Sequence, residues 1–485
     1  MVPTLASTLV VASFACGASA QEHPEKPRLE LGSFTLSPEV DVRLRGEVRR
    51  DPADFVVPVG ALAVPEGAWA VLSRARLGLT VERGPLLAKI TLQDARAMGE
   101  GAPALAFGGS VAPPAFGPYE AFVEARSSAA VPSFVRLGRQ AVEWGEGRLL
   151  GVADFSPTGR SLDAVRARGV VGDLEIEGLA ALLVAPSVTT ATNGIAPRTD
   201  GRTGTQLFGI RAAYTVAPAL KLELFGFARV ADGAAPAGTR ARDTFTLSRA
   251  SGETFTASLR VSGRTNDVSY GIEGAAQSGS PNGETTTTVD GPVVPSATSV
   301  AAFSVSGHVD WHIPRGWLSP TVRVLGGYAT GDSNRADGRH TQFDPLLPDT
   351  QRWHGAFDLF GFSNLADLGG QLALSPSSLV TATLGYRHAR LAEARGDWVG
   401  STLVTLGRAN RDTSGSLGHE LSAKLEVTPL PGLTFALSYA ALVYGDGAKA
   451  VWEARRAEQM PGVVALSDAP SLAHYAFTEA RLRFP

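Results

Sequence analysis

The chain is poorest in cysteine, with Cys16 its only one among 485 residues. That excludes a disulfide scaffold and a multi-cysteine zinc site, and beyond residue 16 a cysteine nucleophile. Lysine is nearly as scarce, at 5 against 39 arginines. With 47 acidic residues the formal net charge is −3, which gives no basic footprint for nucleic acid. Charged residues make up 19% of the chain, too few for a disordered polyelectrolyte. Beyond the N-terminus nothing reaches 18 consecutive apolar residues, so no membrane-spanning helix is expected. GxSxG, HExxH and Walker A are all missing, and no enzyme activity is expected.

What is present begins with a leader. Residues 5–20, LASTLVVASFACGASA, are apolar and end in Ala18-Ser19-Ala20, with small residues where signal peptidase requires them. The expected layout is a signal peptide over 1–20, a periplasmic N-terminal segment over 21–37 and one domain over 38–485. Cleavage would leave Gln21 first and remove the cysteine.

The mature sequence then alternates. In 39–49, EVDVRLRGEVR, Val40, Val42, Leu44 and Val48 share one face, and Arg43, Arg45 and Glu47 share the other. In 69–82, WAVLSRARLGLTVE, Trp69, Val71, Leu77 and Leu79 oppose Arg74 and Arg76. Period-two patterning over ten or more residues indicates strands. About eighteen such segments fit along 39–484, with sixteen or twenty also open because those around 366–375 and 220–230 alternate weakly, and their connections alternate in length. Short ones lie at 82–85, 168–173, 216–219, 262–267, 375–378 and 429–432. Long polar ones include 97–118, 141–161, 329–364 and 445–473. Tight turns at one end and long loops at the other mark an all-β, antiparallel, up-and-down transmembrane barrel in a bacterial outer membrane. Trp69, Tyr119, Tyr214, Tyr328, Tyr386, Tyr439 and Phe484 are candidates for its aromatic girdles.

Several stretches resemble the alginate export family of outer-membrane porins. The most specific is 134–168, FVRLGRQAVEWGEGRLLGVADFSPTGRSLDAVRAR. Others are 73–100, GYATGDSNRADGRHTQFDPLLPD at 327–349, FDLFGFSNLADL at 357–368, and GHELSAKLEV at 418–427. The resemblance spans roughly 38–485 and implies an eighteen-stranded monomeric barrel passing an anionic polysaccharide through an arginine-rich lumen. Periplasmic export machinery would be a partner. The resemblance points to Arg74, Arg136, Arg139, Arg148, Arg160 and Arg166 as lumen or constriction groups.

Parity independently turns Arg43, Arg45, Arg74, Arg76, Arg136, Arg166 and Arg168 inward. Arg139 falls out of phase and would face the lumen only if the strand ended or bulged at Gly138. Strands 2, 5 and 6 are expected to hold the local arginine excess, since several of these residues have no acid two positions away. No cofactor is expected, although Asp332 begins a fragment resembling a calcium loop. His308, Asp310 and His312 share a strand face, but i and i+4 lie about 13 Å apart, too far for one ion. The candidate functions are an anion channel for acidic polysaccharide, an uptake porin for small organic acids or other solutes, and a non-transporting barrel.

Overall fold

A strand in lipid finds no water for its N–H and C=O groups, so each must bond a neighbouring strand. The computed structural model meets that demand by closing the sheet on itself. It describes residues 27–50, 67–100, 115–127, 132–184, 190–191, 194–195, 205–231, 252–281, 299–314, 316–334, 337–349, 351–401, 403, 405–459 and 471–484. The expected leader over 1–20 lies outside them.

Eighteen long strands form the ring. The first six are β1 (Phe34–Arg50), β2 (Gly67–Arg83), β3 (Leu86–Glu100), β4 (Ala115–Ser127), β5 (Ser133–Gln140) and β6 (Leu162–Val171). The next six are β7 (Leu174–Val184), β8 (Thr205–Ala217), β9 (Leu220–Ala231), β10 (Gly252–Arg264), β11 (Val268–Pro281) and β12 (Ser299–His312). The last six are β13 (Thr321–Ala329), β14 (Leu365–Ser377), β15 (Val380–Leu391), β16 (Ser416–Leu430), β17 (Leu433–Tyr444) and β18 (Leu472–Phe484). Each pairs antiparallel with the next. β18 closes on β1 in an unbroken register from Val40↔Phe484 to Arg50↔His474. The barrel starts earlier than residue 38: β1 opens at Phe34, and Leu29–Leu31 folds back to pair with its first residues.

Connections at the end holding both termini are short, as at 84–85, 172–173, 218–219, 378–379 and 431–432. Those at the other end are long, and we number them as loops 1 to 9. Loop 3 (141–161), loop 7 (330–364), loop 8 (392–415) and a helix in loop 9, α1 (Asp446–Gln459), concern the lumen and its mouth.

The outward face is apolar, with Leu44, Leu77, Leu137, Ile210, Leu368 and Leu437 all more than half exposed. Trp69, Tyr214, Tyr328, Tyr386, Tyr439 and Phe484 are also exposed, as interface anchors require. Tyr119 is not among them. A register shift opposite Thr91/Leu92 changes the phase of β4, and Tyr119 turns inward beneath Arg76. The largest apolar cluster lies inside the ring rather than between layers. There Leu149, Leu150, Phe343, Leu347, Phe357, Phe360 and Trp398 from loops 3, 7 and 8 pack together.

Candidate functional site

Alternation along β1, β2 and β18 turns Arg43, Arg45, Arg74, Arg76, Arg481 and Arg483 to the lumen. The register sets Arg481, Arg43 and Arg74 directly opposite one another on three adjacent strands. Like charges so placed repel unless something bridges them. Two carboxylates and a run of backbone do so here. Asp41 reaches Arg481 at 2.6 Å, Arg74 at 3.2 Å and Arg483 at 3.4 Å. Asp154 comes from loop 3 and meets Arg74 and Arg481 at 2.9 Å, and Arg76 and Arg483 at 3.2 Å. Burial pushes the Asp154 carboxyl up, but the fields of Arg74, Arg481, Arg76 and Arg43 outweigh it and hold it well below the usual carboxylate range.

The same arginines grip the loop's main chain. Arg43 donates to the carbonyls of Asp154 at 2.6 Å and Ser156 at 2.9 Å. Arg45 donates to that of Phe155 at 2.9 Å and stacks on its ring, and Arg76 donates to that of Thr158 at 2.9 Å. Gly159 makes the approach possible: at φ +66° a Cβ there would lie 2.5 Å from Arg76. Loop 3 is therefore folded into the barrel and held against the closing seam.

Its other side clasps loop 7. Gly151 N–H donates to Leu347 O at 2.8 Å, Leu347 N–H to Leu149 O at 2.9 Å, and Asp349 N–H to Gly147 O at 2.7 Å. Arg160 spans both loops, donating to the carbonyls of Leu347, Pro348 and Gly151. Burial pushes its guanidinium down to about 10. Arg148 lies over the Trp353 ring at 3.9 Å, and the Trp353 indole donates to Glu146 O. Loop 7 is fastened in turn by Glu420, which accepts the N–H groups of Ala356 and Phe357, and by Arg229 on Asp344. Asn364 ties it to loop 8, accepting from Glu393 N–H and donating to the Glu393 and Asp397 carbonyls.

The wall from β4 to β10 differs. Arg136 pairs Glu124 at 2.6 Å, and Arg166 pairs Glu177 at 2.5 Å. Arg168 pairs Glu175, which also takes Arg211, while Arg211 meets Glu223 at 2.7 Å. Arg260 completes the chain between Glu223 and Glu146 of loop 3. Here charges of the two signs alternate.

The arginines expected in strands 2, 5 and 6 thus all have partners. The acids sit on neighbouring strands or in loop 3, where a count along one strand does not see them. The local cationic excess keeps β2 of that expectation but joins it to β18 and β1 rather than to β5 and β6. Arg148 and Arg160 are inside the barrel, both in loop 3. Arg139 is not. β5 keeps register with β4 and β6 through Gly138, with no shift, so Arg139 stays on the outward face of Val135 and Leu137. There it forms a two-bond pair with Asp163 at 2.8 Å. An outward arginine costs about 2–4 kcal/mol at mid-bilayer and about 0–1 near the interface. Pairing beside the strand end is where it is tolerated. Asp332 accepts the Asn334 N–H and faces His340 at 3.6 Å. Among the described residues it gathers no group of three metal-ligating side chains. His308 faces Glu146 and Asp310, while His312 bonds Thr321 instead.

Two groups were missed as site residues. Arg481 and Arg483 fall on the inward parity of the last strand, opposite Leu482 and Phe484, but only closure of that strand on the first brings them to Arg74. Asp154 carries no periodic signal because it lies in a loop.

Residues 69–459 match the family described as alginate export. Among solved structures, OpdK of Pseudomonas aeruginosa with vanillate is similar at 13% identity and a TM-score of 0.52, covering 92% of this chain and 98% of that one. OccK9 (OpdG) of the same organism is similar at 11% identity and a TM-score of 0.52, covering 93% and 98%. These likenesses concern the fold. No curated protein is close enough in sequence to match.

Proposed function

From the premise that this chain belongs to the alginate export family, and is an outer-membrane channel, we propose that it passes anionic solutes, foremost an alginate-like polysaccharide. The observation that carries this is the seam. Arg43, Arg74, Arg76, Arg481 and Arg483 converge where, among the described residues, Asp41, Asp154 and, at 3.9 Å from Arg43, Glu479 are the carboxylates that oppose them. A local excess of guanidinium attracts anions electrostatically, and interleaved carboxylates keep a polyanion from binding too tightly to move on. The reading takes the barrel as a monomer, with periplasmic export machinery supplying a polymeric cargo.

The second reading is uptake of small organic acids, favoured by one observation. Loops 3 and 7 meet inside the ring, which narrows the passage to small solutes unless the clasp opens. OpdK, similar in fold, is known with vanillate, so vanillate is a suitable small probe.

Planar-bilayer recording tests both. An anion channel shows a chloride-over-potassium preference that grows at low salt. Current block by oligouronate chains but not by vanillate supports the polysaccharide, and the reverse supports the small acids. A cation preference at low salt overturns the proposal.

A further inference from the structure

The outward face of a barrel in lipid should be apolar, with polar groups confined to its rims. Two outward pairs elsewhere on the barrel are neutralised in place: Arg96 holds Asp94 at 2.9 Å, and Arg139 holds Asp163. The stretch from β15 through β18 to β1 breaks that rule. Its outward positions carry His388 and Arg390 on β15, His419 on β16, His474 on β18 and Arg50 on β1. All lie in the outermost four residues of their strands at the loop end. Three of the protein's eight histidines are therefore on one side of one rim. The described outward positions of these strands hold no carboxylate.

Their height follows from their partners. Tyr386 and Tyr439 are outward and half exposed, as girdle tyrosines are, and their hydroxyls bond His419 Nδ1 and His474 Nδ1, both at 2.8 Å. A girdle hydroxyl lies at the level of the lipid head groups, so the rings bonded to it lie there too. The register then joins the groups sideways. His388 is opposite His419, with ring centroids 4.5 Å apart, and His474 is opposite Arg50. With Nδ1 bonded to a tyrosine hydroxyl, Nε2 is the second polar edge of each of these two outward rings.

We propose that this rim is a binding site for the phosphate groups of an outer-leaflet glycolipid. Charge and hydrogen-bond complementarity select the ligand: two guanidiniums supply positive charge and three imidazoles supply hydrogen-bonding edges, with no carboxylate among the described outward positions, and together they fit a multiply phosphorylated head group. Apolar neighbours below, including Leu384, Leu421 and Leu437, fit its acyl chains. The site faces away from the lumen and is independent of what the channel carries.

The test uses detergent-purified full-length barrel and native mass spectrometry. The probes are a diphosphorylated lipid A and the same glycolipid with both phosphates removed. The expected result is preferential binding of the phosphorylated form, reduced about tenfold or more in an Arg50→Gln, Arg390→Gln, His419→Gln variant. Arg96→Gln and Arg139→Gln, on paired outward arginines, should leave that binding unchanged. Should the triple variant fail to fold, Arg50→Gln alone, at an exposed strand end, should still weaken it measurably. Equal binding of the two glycolipids, or undiminished binding by folded variants, would overturn the proposal. So would full competition by inorganic phosphate, which would make this a free-anion site.

Discussion

The two sides of the lumen use the same residues to different ends. From β6 to β10, guanidinium and carboxylate alternate: Arg166 with Glu177, Arg168 with Glu175, Arg211 with Glu175 and Glu223, Arg260 with Glu223 and Glu146. On β18, β1 and β2 the register stacks arginine opposite arginine, and the missing anion arrives as Asp154 from loop 3. The first side is paired strand to strand, taking only Glu146 from loop 3 at its far end, and braces the wall. The second is complete only with a loop in place, so structure and passage are coupled there. Charge composition alone would not separate the two; strand register does.

The largest effect should come from freeing the loop that completes the seam. Arg160→Ala removes three hydrogen bonds to the clasp, and Gly151→Val drives a side chain into Asp349, whose N atom lies 2.8 Å from a Cβ at that position. Either should raise single-channel conductance about twofold or more, as a released segment opens at the low-stability end of the fold. Unchanged conductance would mean that the passage avoids the clasp.

Next in size is the strand-paired wall. Glu223→Ala removes the carboxylate that Arg211, Arg260 and Lys221 share, leaving Arg211 on Glu175 and Arg260 on Glu146. Loss of hydrogen bonds at such a buried position costs about 1–3 kcal/mol. The folded barrel should run as heat-modifiable on gels at a clearly lower transition temperature, with its ion selectivity little altered. A large selectivity change would erase the distinction between the two sides.

Seam charge reversal should do the converse. Arg74→Glu with Arg481→Glu should lower the chloride-to-potassium permeability ratio at low salt by about two- to fivefold, a screened remnant of the bare Coulomb interaction. Arg168→Gln, a neutralisation within the balanced wall, should move the ratio far less.

The smallest effect is on pH. Asp154 has a depressed folded-state pKa, so its stabilisation of the docked loop is fully present above the unfolded value and is lost only as pH falls through the folded one. Conductance should therefore stay constant from neutral pH down past the ordinary carboxylate range, and rise only in stronger acid. In Asp154→Asn that acid transition should disappear. A transition near pH 4 in the unaltered protein would show that the arginines do not hold Asp154 as described.

The wall was legible because period-two alternation is dictated locally by the pleat, and lipid enforces it at every outward position. Even the segments around 220–230 and 366–375, with little alternation, became β9 and β14, since a closed ring admits no gap. Arg139 obeyed the phase count that placed it outside, against the resemblance. Tyr119 did not, because a bulge leaves no mark in composition. The site was legible only by half. The 134–168 block was conspicuous, and its glycines and Arg160 are what let loop 3 lie against loop 7. That Asp154 would complete an arginine cluster drawn from both chain ends depends on closure, a property of the whole ring that no window of sequence contains.

The pairing of the first strand with the last also orders events in time. The cradle for Asp154 takes Arg43 and Arg74 from one end of the chain and Arg481 and Arg483 from the other. An open sheet still lacking its last strand holds half of that cradle, with like charges adjacent and nothing to close over them. Complete docking of loop 3 therefore requires the last strand to be zipped onto the first, a pairing across the greatest sequence separation in the molecule and of the slowest kind to form. A barrel arrested before closure would leave its inner segment undocked and its interior open to water. Only finished barrels would then have a constricted passage, and assembly itself would act as the quality control on permeability.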